Sequence, residues 1–315
     1  MPAPVEARGL VKRYGEIVAV DHVDLTVAAG DVYGYLGPNG AGKTTSLRML
    51  LGLIKPNEGS VRLFGRDPLV EGARALQGVA GFVEEPRFYP YLSARKNLEL
   101  LAAYDGGGAR ERIDSVLDIV ELRDRAKDKV RGYSHGMRQR LGIAGALLRD
   151  PRLLLLDEPT TGLDPAGIRD MRDLVRRLAE QGMTIVLSSH ILAEVEALCD
   201  RVGILRRGRV VFEGALSELR SAGGGTYALR TTDQRRALEL CEAHAGLSGV
   251  RQDDGAVRFS APEEAVASLS IALGDADVGI LALVPHMPTL EELFFDVTES
   301  DEADRAPAGA AQAGS

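Results

Sequence analysis

Apolar and polar residues alternate along the N-terminal thirty residues, most clearly over residues 18–27. This period of two is typical of strands with one buried face, and Gly30-Asp31 predicts the turn that follows them. The next segment, 32–36, is apolar and predicts a buried strand. Helical spacing starts at residues 46–51 and dominates residues 98–148, where glycines at 106–108 and at 132 interrupt it.

Two further apolar strands are predicted at residues 153–156 and 184–187, and polar residues follow each of them directly. The first strand ends in Asp157-Glu158-Pro159 and the second in Ser188-Ser189-His190. Strands that alternate with helices favour a parallel α/β sheet, in which functional residues gather at the carboxyl ends of the strands.

The composition changes near Leu219, and residues 221–225 have the glycine content of a linker. Beyond it the pattern predicts a strand at 226–231, a helix at 232–245, a strand pair around Asp253-Asp254-Gly255, a helix from about 262 and a strand near 278–284. This βαββαβ order is that of the split βαβ arrangement. We therefore expect a large domain at 1–216, a linker at 217–225, a small α+β domain at 226–299 and a disordered tail at 300–315.

Length and composition agree with a globular protein of about two domains, at roughly 150 residues each. The chain has 315 residues, of which 45% are hydrophobic and 27% charged, and its net charge is −8. That charge provides no global basic field, so we expect no nucleic-acid partner. The two cysteines lack metal-ligand spacing, the N-terminus lacks the order of a signal peptide, and no apolar run reaches about 18 residues. These features together predict a cytosolic protein.

The first candidate binding motif is a glycine-rich loop between the predicted strand 32–36 and a helix. Gly37, four further residues and Gly42-Lys43-Thr44 match the P-loop pattern in its required context. Glycines let backbone N–H groups converge on phosphates, and a helix N-terminus adds a partial positive charge. Lys43 is expected to reach the β- and γ-phosphates, and the Thr44 hydroxyl is expected to bind Mg²⁺. The sequence therefore predicts a nucleotide site.

Asp157 and Glu158 supply the second half of that site. The apolar strand before them delivers Asp157 to the Mg²⁺ shell, and Glu158 follows at the next position. A carboxylate there can hold the attacking water and accept its proton. Alone, such a pair is more often a turn or a helix cap, but beside a P-loop it favours nucleotide hydrolysis.

Further motifs resemble those of the ATP-binding cassette (ABC) ATPases over about residues 5 to 215. Tyr133-Ser134-His135-Gly136-Met137-Arg138-Gln139-Arg140 resembles the family's signature, Leu-Ser-Gly-Gly-Gln, at Ser134 and Gly136, and departs from it at Tyr133, His135 and Met137. The segment from Asp157 to Pro165 resembles the Walker B motif with its D-loop, and His190 matches the switch histidine.

The resemblance implies a fold and a set of site residues. The fold is a P-loop NTPase cassette of the α/β class, with a mixed core sheet, an N-terminal antiparallel β subdomain and a helical subdomain. Glu158 and His190 would be catalytic, and Mg²⁺ would be held by Thr44, Glu84 and Asp157. The remaining ATP contacts would come from Tyr14, Gly37, Pro38, Asn39, Gly40, Ala41, Gly42, Lys43, Thr44, Thr45, Glu84, Ser134, Gly136 and Asp164. Tyr14 would stack on the adenine, although a tyrosine near a turn is also commonly a core or rim residue.

In this family two cassettes dimerise head to tail, so that each signature faces the partner's P-loop. Ser134 and the Gly136 N–H would then contact the γ-phosphate bound by the other subunit. One P-loop and one signature imply an ATP-dependent homodimer or pairing with a paralogue. His135, a lone histidine beside a helix start, is interpreted as a surface residue without a catalytic role.

The chain departs from the family at the loop that usually ligates Mg²⁺ through a glutamine. Alignment puts Glu84 at that position, and a shift of one residue would put Glu85 there. A carboxylate can also bind this hard cation. Exporters of the bacitracin and lantibiotic types are similar in using glutamate, and a pair of solvated loop acids is the alternative.

Within the family the chain resembles the ATPase subunits of bacitracin, lantibiotic-immunity and daunorubicin-resistance exporters. The resemblance implies a separate integral-membrane permease and a peripheral position at the inner face of the cell membrane. Drug, antibiotic or peptide efflux is the expected function. The alternative is a non-transport ABC ATPase with a regulatory or scaffold role.

Overall fold

A computed structural model describes residues 2–104, 108–218, 225–253 and 255–286 of the chain. Most of the predicted linker and the whole predicted tail lie outside these ranges. The chain divides into two compact units, residues 1–214 and 215–315.

The first unit contains nine strands and seven α-helices within the described residues. The strands are β1 (Val5–Tyr14), β2 (Ile17–Val27), β3 (Val32–Leu36), β4 (Glu58–Leu63), β5 (Val79–Phe82), β6 (Leu153–Asp157), β7 (Thr184–Ser189), β8 (Arg201–Arg206) and β9 (Arg209–Ala215), whose last residue opens the second unit. The helices are α1 (Lys43–Leu50), α2 (Pro68–Glu71), α3 (Ala94–Ala103), α4 (Ile113–Ile119), α5 (His135–Leu147), α6 (Pro165–Glu180) and α7 (Leu192–Leu198).

The alternating N-terminal residues form an antiparallel sheet of order β2-β1-β4. Val23, Leu25 and Val27 of β2 are buried, whereas the alternating residues His22 and Asp24 are exposed. Burial of one face therefore explains the period of two in this part of the sequence.

The core sheet has six strands in the order β5-β6-β7-β3-β8-β9. The five strands β5, β6, β7, β3 and β8 pair in parallel with their neighbours in this order. Strand β9 is joined to β8 by the two residues Arg207-Gly208, both with positive φ, which is the geometry of an antiparallel hairpin. The predicted mixed sheet and antiparallel subdomain are confirmed.

Strands β3, β6 and β7 are buried at every position, which explains why their sequences are apolar runs rather than alternating ones. Their register sets the position of the functional residues. Asp157 lies opposite Ser188, and Leu36 lies opposite Ser189. The carboxyl ends of three neighbouring strands therefore bring the P-loop, Asp157-Glu158 and His190 to one edge of the sheet.

Within its described residues, the second unit contains a four-stranded antiparallel sheet and two helices whose full ranges are described. Its elements are β10 (Thr226–Thr231), α8 (Gln234–Ala243), β11 (Ser248–Asp253), β12 (Ala256–Ser260), α9 (Glu263–Asp275) and β13 (Ile280–His286). The sheet order is β11-β12-β10-β13, which together with the element order is the split βαβ arrangement. Leu229, Val257, Phe259 and Leu269 belong to the separate hydrophobic core of this unit. Among the described helices none combines the length and the apolar character that crossing a bilayer requires.

Candidate active site

The P-loop is shaped by two glycines that no other residue could replace without a backbone shift. Gly42, at the start of α1, has φ +108°, and a Cβ there would lie 2.4 Å from the Ala19 carbonyl oxygen. A Cβ on Gly37 would lie 2.5 Å from the Leu205 carbonyl oxygen. Because Gly42 has no side chain to cap α1, the first N–H groups of this helix stay available to an anion.

A cavity of about 160 Å³ lies over this loop. Its lining consists of Ala19, Asn39, Gly40, Gly42, Lys43, Thr44, Thr45 and Glu158. Of the remaining loop residues predicted to bind ATP, Pro38 contributes a carbonyl to the Lys43 side chain and Ala41 is buried. Most of the residues predicted to contact the phosphates therefore line one small cavity.

Lys43 places a nearly buried cation at this cavity, since only 5% of the residue is exposed. Its ammonium group donates hydrogen bonds to the carbonyl oxygens of Gly37 (2.7 Å) and Pro38 (3.2 Å). The same Nζ lies 3.2 Å from Oε1 of Glu158. The site thus joins the P-loop cation to the carboxylate predicted to act as the base.

Asp157 is buried and held by neighbours on both sides. The Ser188 hydroxyl donates to Oδ1 at 2.5 Å, and the Glu84 N–H donates to Oδ2 at 3.4 Å. Within the described chain no basic side chain pairs with this carboxylate, so its charge fits a bound cation. The oxygen donors Asp157 and Thr44 are the kind that Mg²⁺ prefers, and this ion usually keeps several waters. The described residues accordingly include no cluster of three or more metal-ligating side chains.

Glu158 adopts a left-handed backbone conformation, with φ +46°, and its N–H donates to the Ser188 hydroxyl at 2.9 Å. Its Oε2 accepts a hydrogen bond from the Thr161 hydroxyl (2.8 Å) and lies 3.1 Å from Nδ1 of His190. Burial alone would raise the pKa of the Glu158 carboxyl, but the Thr161 hydrogen bond and the Lys43 charge outweigh it and lower the pKa below its usual 4.5. The carboxylate is therefore ionised at neutral pH, as a general base must be.

A second, buried carboxylate supports this edge of the sheet. Glu194 is 2% exposed, and its Oε2 accepts hydrogen bonds from the hydroxyls of Thr160 and Ser189. It therefore links the segment after β6 to the end of β7. The sequence pattern did not single out Glu194, Ser188 or Thr161. For Glu194, a charged residue among the apolar residues of the segment 192–198 is a usable signal.

The loop after β5 uses its two glutamates differently. Glu84 has φ +71°, its amide reaches Asp157, and its carboxylate, 62% exposed, pairs with Arg48. The Glu85 carboxylate instead lies 3.3 Å from Nδ1 of His135. Of these two glutamates, Glu84 is the one that contacts Asp157, and it does so through its backbone N–H.

The signature residues lie at a different cavity, of about 390 Å³, on the same unit. Ser134 caps helix α5 through a hydrogen bond from the Met137 N–H, and Asp164 caps α6 through one from the Gly167 N–H. Both residues and Gly136 line this cavity, which shares no lining residue with the one over the P-loop.

Tyr14 lies at the end of β1 and is 48% exposed. The Lys12 ammonium group lies 5.3 Å from the centre of its ring. Ala19, which lines the P-loop cavity, belongs to the strand that pairs with β1. The predicted stacking of Tyr14 on adenine stays a prediction.

Comparison with known proteins gives the family. Residues 20–161 match the family described as ABC transporter. The bacitracin transport ATP-binding protein BcrA of Bacillus licheniformis is 40% identical over 93% of this chain and 97% of its own length. The daunorubicin/doxorubicin resistance ATP-binding protein DrrA of Streptomyces peucetius is 36% identical over 98% of this chain and 96% of its own.

Solved structures of ATP-binding cassettes are also similar to this chain. An ATP-binding subunit of an ABC transporter superimposes with a TM-score of 0.62 at 30% identity, covering 70% of this chain and 92% of that one. A dimeric ATP-binding cassette, in a post-hydrolysis state with ADP and phosphate, gives a TM-score of 0.59 at 28% identity, covering 67% and 98%. The chain belongs to the ABC transporter ATP-binding family, and it is an ATPase.

Proposed function

We propose that this chain is the ATP-hydrolysing subunit of an exporter for antibiotics, other drugs or peptides. The observation that carries the proposal is the length of the match: relatives named for bacitracin transport and daunorubicin resistance align over more than nine-tenths of the chain. The membrane channel would be a separate integral-membrane permease, and the chain would act at the inner face of the cell membrane.

The geometry supports a distinct role for each active-site group. Glu158 is ionised and would take the proton of the attacking water, while His190 beside it would contact the γ-phosphate. Lys43 would neutralise phosphate charge. Thr44, Asp157 and Glu84 would hold Mg²⁺, which supplies charge neutralisation when bound.

A head-to-tail homodimer would complete the site. Ser134 and Gly136 line a cavity of their own, away from Lys43 of the same chain. A γ-phosphate held by Lys43 would receive its signature contacts from a second cassette. The N-terminus of α5, at Ser134, offers backbone N–H groups to such an anion.

The proposal is tested in cells that lack the gene for this chain. Loss of the chain should sensitise them to an exported antibiotic, and the wild-type chain but not Glu158→Gln should restore resistance. A membrane protein should co-purify with the wild-type chain from detergent-solubilised membranes. Unchanged resistance, together with ATPase activity and no membrane protein bound, would favour the non-transport ATPase instead.

A further inference from the structure

His135, interpreted from the sequence as a surface residue, connects three functional segments in the structure. It is the first residue of α5, directly after the cap Ser134, and 30% of its side chain is exposed. Nε2 of its ring lies 2.9 Å from the carbonyl oxygen of Thr161. Nδ1 lies 3.3 Å from Oε1 of Glu85. One ring therefore joins the signature, the segment after Walker B and the loop after β5.

Both partners of this ring accept hydrogen bonds and cannot donate them. A backbone carbonyl has only lone pairs, and so does an ionised carboxylate. A neutral imidazole has one N–H, so it can serve one of the two contacts, whereas a cationic side chain can donate to both. The site at position 135 thus suits a side chain that can donate from two separate nitrogens.

Charged groups of both signs lie near His135. Arg138 shares the same Glu85 oxygen, with its Nε at 3.7 Å. Arg140, Asp164 and Asp170 line the same cavity as His135.

Thr161 connects His135 to Glu158, the proposed base. Thr161 offers its carbonyl to His135 and its hydroxyl to Oε2 of Glu158. The contact to Glu85 leads to the neighbouring Glu84, whose N–H donates to Asp157. Holding Thr161 and Glu85 therefore fixes the surroundings of both active-site carboxylates.

We propose that His135 is a positioning residue of the ATPase site. Its ring ties Thr161 and Glu85 to the start of the signature helix and so holds Glu158 in its working position. The family's usual residue here, a glycine, has no side chain that could do this. The inference rests on the proposed role of Glu158 and adds a residue that acts by bridging Thr161 and Glu85, so that loss of either contact breaks the link.

Steady-state ATP hydrolysis by the purified full-length chain tests the proposal. His135→Gln has a single side-chain nitrogen, so it cannot contact Thr161 and Glu85 from two separate nitrogens as the two sides of the ring do. We expect kcat to fall about tenfold, which corresponds to about 1.4 kcal/mol, with KM for ATP within about twofold. His135→Arg offers N–H donors on separate nitrogens, so its kcat should return to within about threefold of the wild type.

A double-mutant cycle identifies the partner. In a Glu85→Gln background the carboxylate is absent, so His135→Gln should lower kcat less than threefold. His244→Gln, the same change in the second unit, is the matched control and should leave kcat unchanged. Thermal unfolding of each variant checks that the fold is intact.

Two results would overturn the inference. The first is a kcat for His135→Gln within twofold of the wild type, and the second is a tenfold loss that persists in the Glu85→Gln background. Absence of hydrolysis by the wild-type chain itself would instead contradict the proposed function, so the two failures are distinguishable.

Discussion

At the scale of single residues, Glu158 is positioned by its backbone as much as by its side chain. Its left-handed conformation is held by the hydrogen bond from its N–H to Ser188, and that serine also binds Asp157. Because Ser188 lies within the buried strand β7, the two carboxylates are fixed relative to the sheet. The arrangement is one that the proposed metal ligand and base would need before substrate arrives.

The role of Glu158 as base is tested by Glu158→Gln. The amide cannot accept the proton of water, so hydrolysis should fall by roughly 10²-fold or more while ATP binding is retained. The variant should then accumulate as an ATP-bound dimer, which sedimentation in the presence of ATP measures. A variant that hydrolysed ATP at the wild-type rate would remove Glu158 from the mechanism.

The lowered pKa of Glu158 also predicts how stability depends on pH. A carboxyl whose pKa is lower in the folded than in the unfolded chain stabilises the fold above its usual pKa of 4.5, and this contribution is lost as the pH falls through the folded value. Without nucleotide, Glu158→Gln should therefore cost more unfolding free energy at pH 7 than at pH 4. Urea unfolding at both pH values measures this, and an equal cost at both would contradict the prediction.

At the scale of structural elements, helix α5 presents the signature at its N-terminus. Ser134→Arg places a long cation where the partner's γ-phosphate is proposed to lie. We expect nucleotide binding by the P-loop of the same chain to stay nearly intact and ATP-dependent dimerisation to be lost. Sedimentation with and without ATP measures the second effect. Normal ATP-induced dimers of this variant would rule out the head-to-tail arrangement.

The loop after β5 is the second element with a testable role. Glu84→Gln keeps an oxygen for Mg²⁺ but removes the charge that pairs with Arg48. We expect ATPase activity within about tenfold of the wild type, because an amide oxygen can still bind the metal. Coupling of hydrolysis to export should weaken, measured as resistance per ATP hydrolysed. Full resistance with Glu84→Ala would show that the side chain serves neither the metal nor the coupling.

The elements differ in how far the sequence predicts them. Strand β6 and the P-loop were predictable because an apolar run and a glycine pattern are local signals. The bond from Ser188 to Asp157 was not, since it depends on the register between two strands that lie far apart in sequence. The contacts of His135 could not be predicted for the same reason: its partners Glu85 and Thr161 are distant in sequence.

At the scale of the whole molecule, the chain has separate hydrophobic cores in its two units. Phe259 is 1% exposed in the core of the second unit, and Phe259→Ala should cost about 3–5 kcal/mol there. We expect an early thermal transition for this variant with ATP binding by the first unit retained. Leu155→Ala, in the other core, is the matched control and should lower the transition at which ATP binding is lost. Loss of ATP binding in Phe259→Ala at the early transition would contradict this separation.

The two cavities that share no lining residue have a consequence for reaction order. If a phosphate in one cavity must meet the signature of another molecule, the rate of hydrolysis rises with the square of the protein concentration while most chains are monomeric. Specific activity should then fall on dilution, and a tether that holds two chains side by side should restore it by raising their effective concentration. A cell could thus keep unassembled copies of this ATPase nearly idle simply by keeping them dilute.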